Sequence, residues 1–152
     1  MVAVVGNMCD HRALRLPAAP VSVTVGRHWV GRRCEAWDLG PSASEGVLLA
    51  SSELLTNAVV HARTPVELSA TMAYGLMRVE VHDDDQAELR ADQAGELAEG
   101  GRGLFLVDAL SDRWGVSTTP SGKTVWFEWA FPADHPLASS CTCGPKRYPR
   151  PV

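Results

Sequence analysis

Three side chains able to do chemistry follow one another at intervals of four residues: Glu53, Asn57 and His61. They lie in an apolar run that predicts a helix, and residues four apart on a helix project from the same face. A carboxylate beside a carboxamide oxygen suits a site for Mg²⁺ and phosphate, because Mg²⁺ takes oxygen ligands and a carboxylate can orient an attacking group. Taken alone, the pattern also fits a helix end with a few solvated polar residues.

A second candidate is the glycine cluster Gly100-Gly101-Arg102-Gly103, which precedes an apolar segment over 104–111. Glycines before a helix let the backbone approach a ligand closely, and the exposed N–H groups of the helix start favour an anion such as phosphate. Clusters of this kind also occur simply as helix caps. The spacing matches neither a Walker loop nor a dinucleotide-binding fingerprint.

A third candidate is Asp83, the first residue beyond an alternating apolar segment over 76–82. This position predicts a side chain that faces the interior of a sheet. A carboxylate there could accept a hydrogen bond from the exocyclic amine of adenine and discriminate against bases that lack the donor. The acidic residues that follow, Asp84 and Asp85, are interpreted as a solvated turn.

These residues must be positioned by both helices and strands. Periodicity predicts three helices, over 21–39, about 42–62 and 104–111. The start of the first also alternates like a strand, and the second could be capped by Ser42 or Ser44. Alternation predicts two hairpins, one of 66–72 with 76–82 and one of 114–118 with 124–130. The turn of the second hairpin lies over 119–123 and contains Gly122. The polar segment 83–99 reads as a long loop of the kind that often forms a lid. We therefore predict an α+β fold, a two-layer sandwich with a mixed, mainly antiparallel sheet and helices on one face.

Composition favours one compact domain. The 152 residues are enough for a single core, 45% of them are apolar, and no stretch approaches the ~18 consecutive apolar residues of a membrane span. The first residues lack the charged start and the long apolar core of a signal peptide. A net charge of −4 gives no basic footprint for nucleic acid. We expect a cytoplasmic protein that binds neither nucleic acid nor a membrane.

The chain is expected to divide into a flexible N-terminal segment over 1–15, a folded domain over 16–132 and a flexible C-terminal tail over 133–152. The first 19 residues are polar and predicted to be irregular, and the tail is too rich in Pro, Ser and Arg to bury a core. Cys34 is interpreted as a small buried apolar residue. A zinc site built from the two ends is also conceivable, although the C-x-C spacing disfavours it; its ligands would come from Cys9, His11, His135, Cys141 and Cys143.

The order of the motifs resembles the GHKL ATPase superfamily. The motifs are E-x-x-x-N-A-x-x-H-A over 53–62, a strand that ends in Asp83, a short lid, G-G-R-G-L-x-L-V over 100–107, and G-x-T over 122–124. The size and the sequence around each motif are similar to the branch of bacterial anti-sigma-factor serine kinases, over about residues 16–132. This resemblance implies the Bergerat ATP-binding sandwich, with ATP and Mg²⁺ as cofactors.

The resemblance also implies a role for each site residue. Asn57 would ligate Mg²⁺ and Glu53 would act as the general base. Asp83 would read adenine, and Thr124 would help near the adenine through water. The segment Gly101-Arg102-Gly103 would wrap the phosphates, with Leu104 beside it in the cofactor-binding set.

The activity implied is that of an ATP-dependent protein serine/threonine kinase that regulates transcription by partner switching. It would hold a sigma factor inactive and phosphorylate a small antagonist, a protein of the anti-anti-sigma type. Apart from the resemblance, exposed apolar residues on the first predicted helix could form either a partner surface or the interface of a homodimer. One departure favours an alternative: Asp85 stands where the family's Asp-x-Gly-x-Gly motif has its first glycine. Added negative charge near a triphosphate is unfavourable unless it faces solvent or Mg²⁺. The alternative is a non-catalytic protein that sequesters a partner and carries a retained or degenerate ATP site.

Overall fold

The computed structural model describes residues 10–61, 64–84 and 101–138, with residues 101–103 described by their backbone alone. Three helices and five strands form in this part of the chain. In chain order they are β1 (Asp10–Leu16), α1 (Val21–Ala36), α2 (Pro41–His61), β2 (Val66–Ala73), β3 (Leu76–Asp83), α3 (Gly101–Leu110), β4 (Arg113–Thr119) and β5 (Gly122–Ala130).

The strands form one sheet in the order β1-β2-β3-β5-β4, and each neighbouring pair is antiparallel. The predicted α+β fold is therefore confirmed, but the expected parallel component of the sheet is absent from the described strands. Alternation gives the sheet two faces, because successive side chains of a strand point to opposite sides. Met77, Val79 and Val81 belong to the hydrophobic core, whereas Arg78 and Glu80 lie on the opposite face and pair with each other.

The prediction of an irregular N-terminal segment is wrong for β1. This strand pairs with β2 along its whole length, from Asp10 opposite Met72 to Leu16 opposite Val66. It is an edge strand whose side chains are mostly exposed, and only Leu16 is fully buried. Backbone hydrogen bonds to β2 hold such a strand in place, so its sequence carries little of the apolar alternation that predicts strands.

The helix boundaries differ slightly from those predicted. α1 begins at Val21, which resolves the ambiguity at its start in favour of helix, and it ends at Ala36 because Asp38 adopts a positive φ of 53°. α2 begins at Pro41, one residue before the first predicted cap. Proline suits a first helical position because its missing N–H would have no partner there.

The core lies between the sheet and the helix layer. α2 is the central helix, with α1 on one side and α3 on the other, and its Leu54 and Leu55 are almost completely buried. Cys34 is buried as predicted, and desolvation raises the pKa of its thiol to about 11. Among the described helices, none is both long enough and apolar enough to span a membrane.

Residues 133–138, which the sequence placed in the tail, pack against the body of the domain. The ring of His135 stacks on Phe131 with 4.7 Å between centroids, and its Nε2 is hydrogen-bonded to the Asp38 carbonyl at 2.8 Å. Leu137 and Ala138 pack against the core. The rest of the predicted tail and the candidate zinc ligands Cys9, Cys141 and Cys143 lie outside the described residues. Within the described ranges, no three His, Cys, Asp or Glu side chains gather at one point.

Candidate functional site

A pocket opens between α2, α3 and the sheet, with about 460 Å³ of empty space that includes its open mouth. Most of its lining is apolar, with a few polar groups, which is the usual character of a small-molecule site. Residues from five elements converge on it: Leu54, Asn57, Ala58, His61, Val81, Asp83, Leu104, Val116, Lys123 and Val125.

Helix α2 contributes four residues to one wall of the pocket. Leu54, Asn57, Ala58 and His61 are spaced by three, four and seven residues, so they form one stripe along the helix. Asn57 is thus one of the residues that line the pocket, and its role as a Mg²⁺ ligand stays a prediction. Glu53 is half-buried one turn earlier and does not line the pocket, so the structure does not bring it together with Asn57 at the cavity wall.

Asp83 lies on the opposite wall as the last residue of β3. Only 3% of this residue is exposed, it lines the pocket, and alternation along β3 puts its side chain on the same face of the sheet as Val81. A buried carboxylate is costly without a partner, and here Nζ of Lys123 lies 3.9 Å from Oδ2. Lys123 is the residue of β5 directly opposite Asp83 in the antiparallel register.

Gly122 makes this approach of the two strands possible. Its φ is +139°, and a Cβ at this position would collide with the carbonyl oxygen of Asp83 and lie 2.9 Å from Cα of Asp84. Only a residue without a side chain fits there. The glycine that the sequence marked as a hairpin residue therefore also packs the start of β5 against the end of β3.

Thr124 is not brought to the pocket. It lies opposite His82 in the register, on the other face of the sheet, and its Oγ1 is hydrogen-bonded to Nδ1 of His82 at 2.9 Å. The role expected for Thr124 near a base therefore conflicts with its position. Successive side chains of a strand point to opposite faces, so Lys123 lies on the same face as Val125 and Phe127. This alternation in the sequence could have identified Lys123 as the pocket residue.

Helix α3 begins at Gly101, so the backbone of residues 101–103 forms its first turn. The first N–H groups of a helix have no partner within it and are available to an anion. Leu104 lines the pocket directly after this turn, and Nε1 of Trp114 donates to Oδ1 of Asp108 at 2.8 Å, which ties α3 to β4. The side chain of Arg102, and all of Gly100 and Asp85, lie outside what is described.

The polar groups of the pocket fit a magnesium nucleotide. Mg²⁺ is often bound through one or two protein oxygens together with substrate phosphates, and Asn57 offers one such oxygen. The buried Asp83 offers an acceptor for a base amine. The start of α3 offers backbone donors for phosphate beside Leu104. His61, the third residue of the helix series, also lines the cavity, although the resemblance assigned no role to it.

The fold has counterparts among known proteins. Residues 16–129 match the family profile described as the histidine kinase-like ATPase domain. One similar crystal structure is that of the RsbU and RsbW domains of Rv1364c from Mycobacterium tuberculosis, with 19% identity and a TM-score of 0.63 over 80% of this chain and 32% of that one. The chain thus spans about a third of that structure's length.

A second similar structure is that of the SiaB–SiaC complex from Pseudomonas aeruginosa. One of its chains matches with 14% identity and a TM-score of 0.59, over 77% of this chain and 88% of that one. No curated protein matches the sequence. At these identities the two structures establish a shared fold.

Proposed function

The chain belongs to the histidine kinase-like ATPase family, and from this premise we propose that its pocket binds ATP with Mg²⁺ for phosphoryl transfer to a serine or threonine of a partner protein. The observation that carries the proposal is the convergence on one pocket of Asn57, the buried Asp83 and Leu104, which directly follows the first turn of α3. These groups supply an oxygen for a cation, an acceptor for a base and donors for phosphate.

In the proposed mechanism, Asp83 accepts a hydrogen bond from the adenine amine beside the apolar surface that Val81 and Val125 form together on one face of the sheet. The backbone at the start of α3, over 101–103, binds phosphate oxygens. Asn57 would hold Mg²⁺ through its side-chain oxygen, and the cation would supply positive charge to offset that of the phosphates. As the hydroxyl oxygen of the acceptor bonds to the γ-phosphorus, Glu53 receives its proton as general base, the bond from the γ-phosphorus to the β,γ-bridging oxygen breaks, and ADP leaves.

We further infer that the chain acts in partner switching, with a sigma factor and a protein of the anti-anti-sigma type as its partners. The likeness in fold to a structure containing an RsbW domain and to one of a SiaB–SiaC complex supports this inference. The exposed Val21 and Val25 of α1 offer an apolar surface for a partner or a second copy of the chain.

One observation favours the second candidate, a protein that binds nucleotide and sequesters a partner without transferring phosphate. Glu53 is the proposed base, yet it does not line the pocket. A base must come within hydrogen-bond reach of the proton that it removes, although catalytic contacts often tighten only when substrates bind. The two candidates share the nucleotide site and differ only in the transfer step.

Glu53→Gln separates the two candidates. The protein is incubated with ATP labelled in the γ-phosphate and an extract of the source organism, and labelled proteins are analysed for phosphoserine and phosphothreonine. The kinase proposal predicts transfer by the wild type and a loss of about 10²–10⁴-fold in the variant, the usual contribution of a general base. ATP affinity, measured in parallel, should stay within a few fold of wild type.

The kinase proposal is wrong if the wild type binds ATP but labels nothing, and the sequestering protein then takes its place. Transfer by Glu53→Gln at the wild-type rate would remove Glu53 from the mechanism while leaving the kinase activity in place. Label on histidine or aspartate instead of a hydroxyl residue would contradict the proposed acceptor.

A further inference from the structure

Lys123 is a cation inside the pocket that the mechanism above does not use. Its side chain is 22% exposed, that of Asp83 is 4% exposed, and Nζ lies 3.9 Å from Oδ2. Val81 lies two residues before Asp83 on β3, and Val125 lies two residues after Lys123 on β5. Both valines are on the same face of the sheet as the charged pair, and they continue the pocket wall beside it. One end of the pocket therefore presents an acceptor and a donor side by side.

We propose that Lys123 and Asp83 together read one edge of the nucleobase: Asp83 accepts from the exocyclic amine, and Lys123 donates to the ring nitrogen next to that amine. The inference rests on the proposed binding of ATP. Adenine carries its amine between two ring nitrogens, N1 and N7, and both are acceptors. An ionised carboxylate only accepts and an ammonium only donates, so the two side chains match this pattern.

The spacing of the pair suits such a reading. At 3.9 Å the two charged atoms are farther apart than a direct hydrogen bond allows, while remaining at ion-pair distance. No short bond between the two side chains therefore has to break for Nζ of Lys123 to reach an atom of the base beside the one that Asp83 contacts. Hydrogen bonds with one charged partner are stronger than neutral ones, so the added contact should be measurable.

The register of β5 makes this contact specific to Lys123. Gly122 can pack only as a glycine against the end of β3, and this packing places Lys123 opposite Asp83 and Thr124 opposite His82. The hydroxyl of Thr124 is hydrogen-bonded on the far face of the sheet. The donor beside the base-reading carboxylate is thus an ammonium rather than a hydroxyl.

The test compares ATP with 1-deaza-ATP and 7-deaza-ATP, each of which replaces one ring nitrogen beside the amine by carbon. Dissociation constants are measured by calorimetry for the wild type, for Lys123→Met and for Lys123→Gln, which removes the ammonium but keeps a polar side chain. Thr124→Val is the matched control on the other face. Thermal unfolding of each variant verifies that it is folded.

The wild type should bind one of the two analogues about tenfold or more weakly than ATP, as expected for loss of a hydrogen bond to a charged donor. Both Lys123 variants should lose most of that difference, whereas Thr124→Val should keep it. The analogue that carries the penalty identifies the edge of adenine that is read.

The inference is overturned if the Lys123 variants weaken ATP and both analogues by the same factor, because Lys123 would then contact phosphate instead of the base. It is also overturned if the wild type binds all three nucleotides equally. In both cases ATP still binds, so the proposed function survives. A wild type that binds no ATP would end both proposals.

Discussion

At the scale of single residues, the site depends on close approaches that leave no room for an extra atom. Gly122 is the clearest case, since its absent side chain lets the end of β3 and the start of β5 meet and aligns Lys123 with Asp83. The same approach brings two charged groups together in a pocket whose lining is mostly apolar. A single methyl group there should therefore affect both stability and binding.

Gly122→Ala should lower the free energy of unfolding by about 2–4 kcal/mol, because strained backbone and a collision with the Asp83 carbonyl combine. Gly40→Ala is the matched control: Gly40 also has a positive φ, of +81°, but a Cβ there has nothing within 4 Å. The control should lose only about 1–2 kcal/mol, the cost of a left-handed conformation. Urea denaturation measures both variants, and equal losses would contradict the packing described at Gly122.

At the scale of elements, α1 and β1 illustrate how packing decides what a segment becomes. α1 crosses the core through Gly26, where a Cβ would lie 2.5 Å from Cδ1 of Leu55 and 3.2 Å from Cδ2 of Leu68. Farther along the helix, a Cβ at Gly31 would meet only Cδ2 of Leu48, at an ordinary 3.7 Å. A side chain therefore has no room at Gly26, whereas one fits at Gly31.

Gly26→Ala should destabilise the protein by about 1–3 kcal/mol through overpacking of the buried Leu55. Gly31→Ala should instead stabilise it by up to about 1 kcal/mol, because alanine is the better helix former and finds space. Chemical denaturation of the two variants beside wild type measures both effects. If the two changes had the same sign, the position of α1 against α2 would have to be revised.

Sequence patterns predicted an element well where one of its faces is buried and the other exposed, and poorly where most of its side chains are exposed. α2 was predicted to within a residue or two because its apolar stripe and its Pro41 boundary agree. β1 was missed because an edge strand with mostly exposed side chains has no apolar alternation to detect. The resemblance assigned Thr124 to the adenine, whereas alternation along β5 puts Lys123 and Val125 on the pocket face and Thr124 on the other.

At the scale of the whole molecule, one antiparallel sheet with helices over its core-forming face leaves a pocket between α2, α3 and the sheet. The two-layer fold could be predicted because helix and strand periodicities alternate clearly along the chain. The exact lining of the pocket could not, because it depends on how α2 rotates against the sheet. That rotation brings Asn57 to the cavity wall and leaves Glu53 outside it.

The most direct test of the central claim is calorimetric titration of the protein with ATP, with and without Mg²⁺, beside Asn57→Ala. We predict binding by the wild type that strengthens with Mg²⁺, and a loss of at least about tenfold in the variant because the cation loses its protein oxygen. Failure of the wild type to bind ATP would contradict the account. Unchanged, Mg²⁺-dependent binding by Asn57→Ala would contradict the assigned role of Asn57 in this pocket.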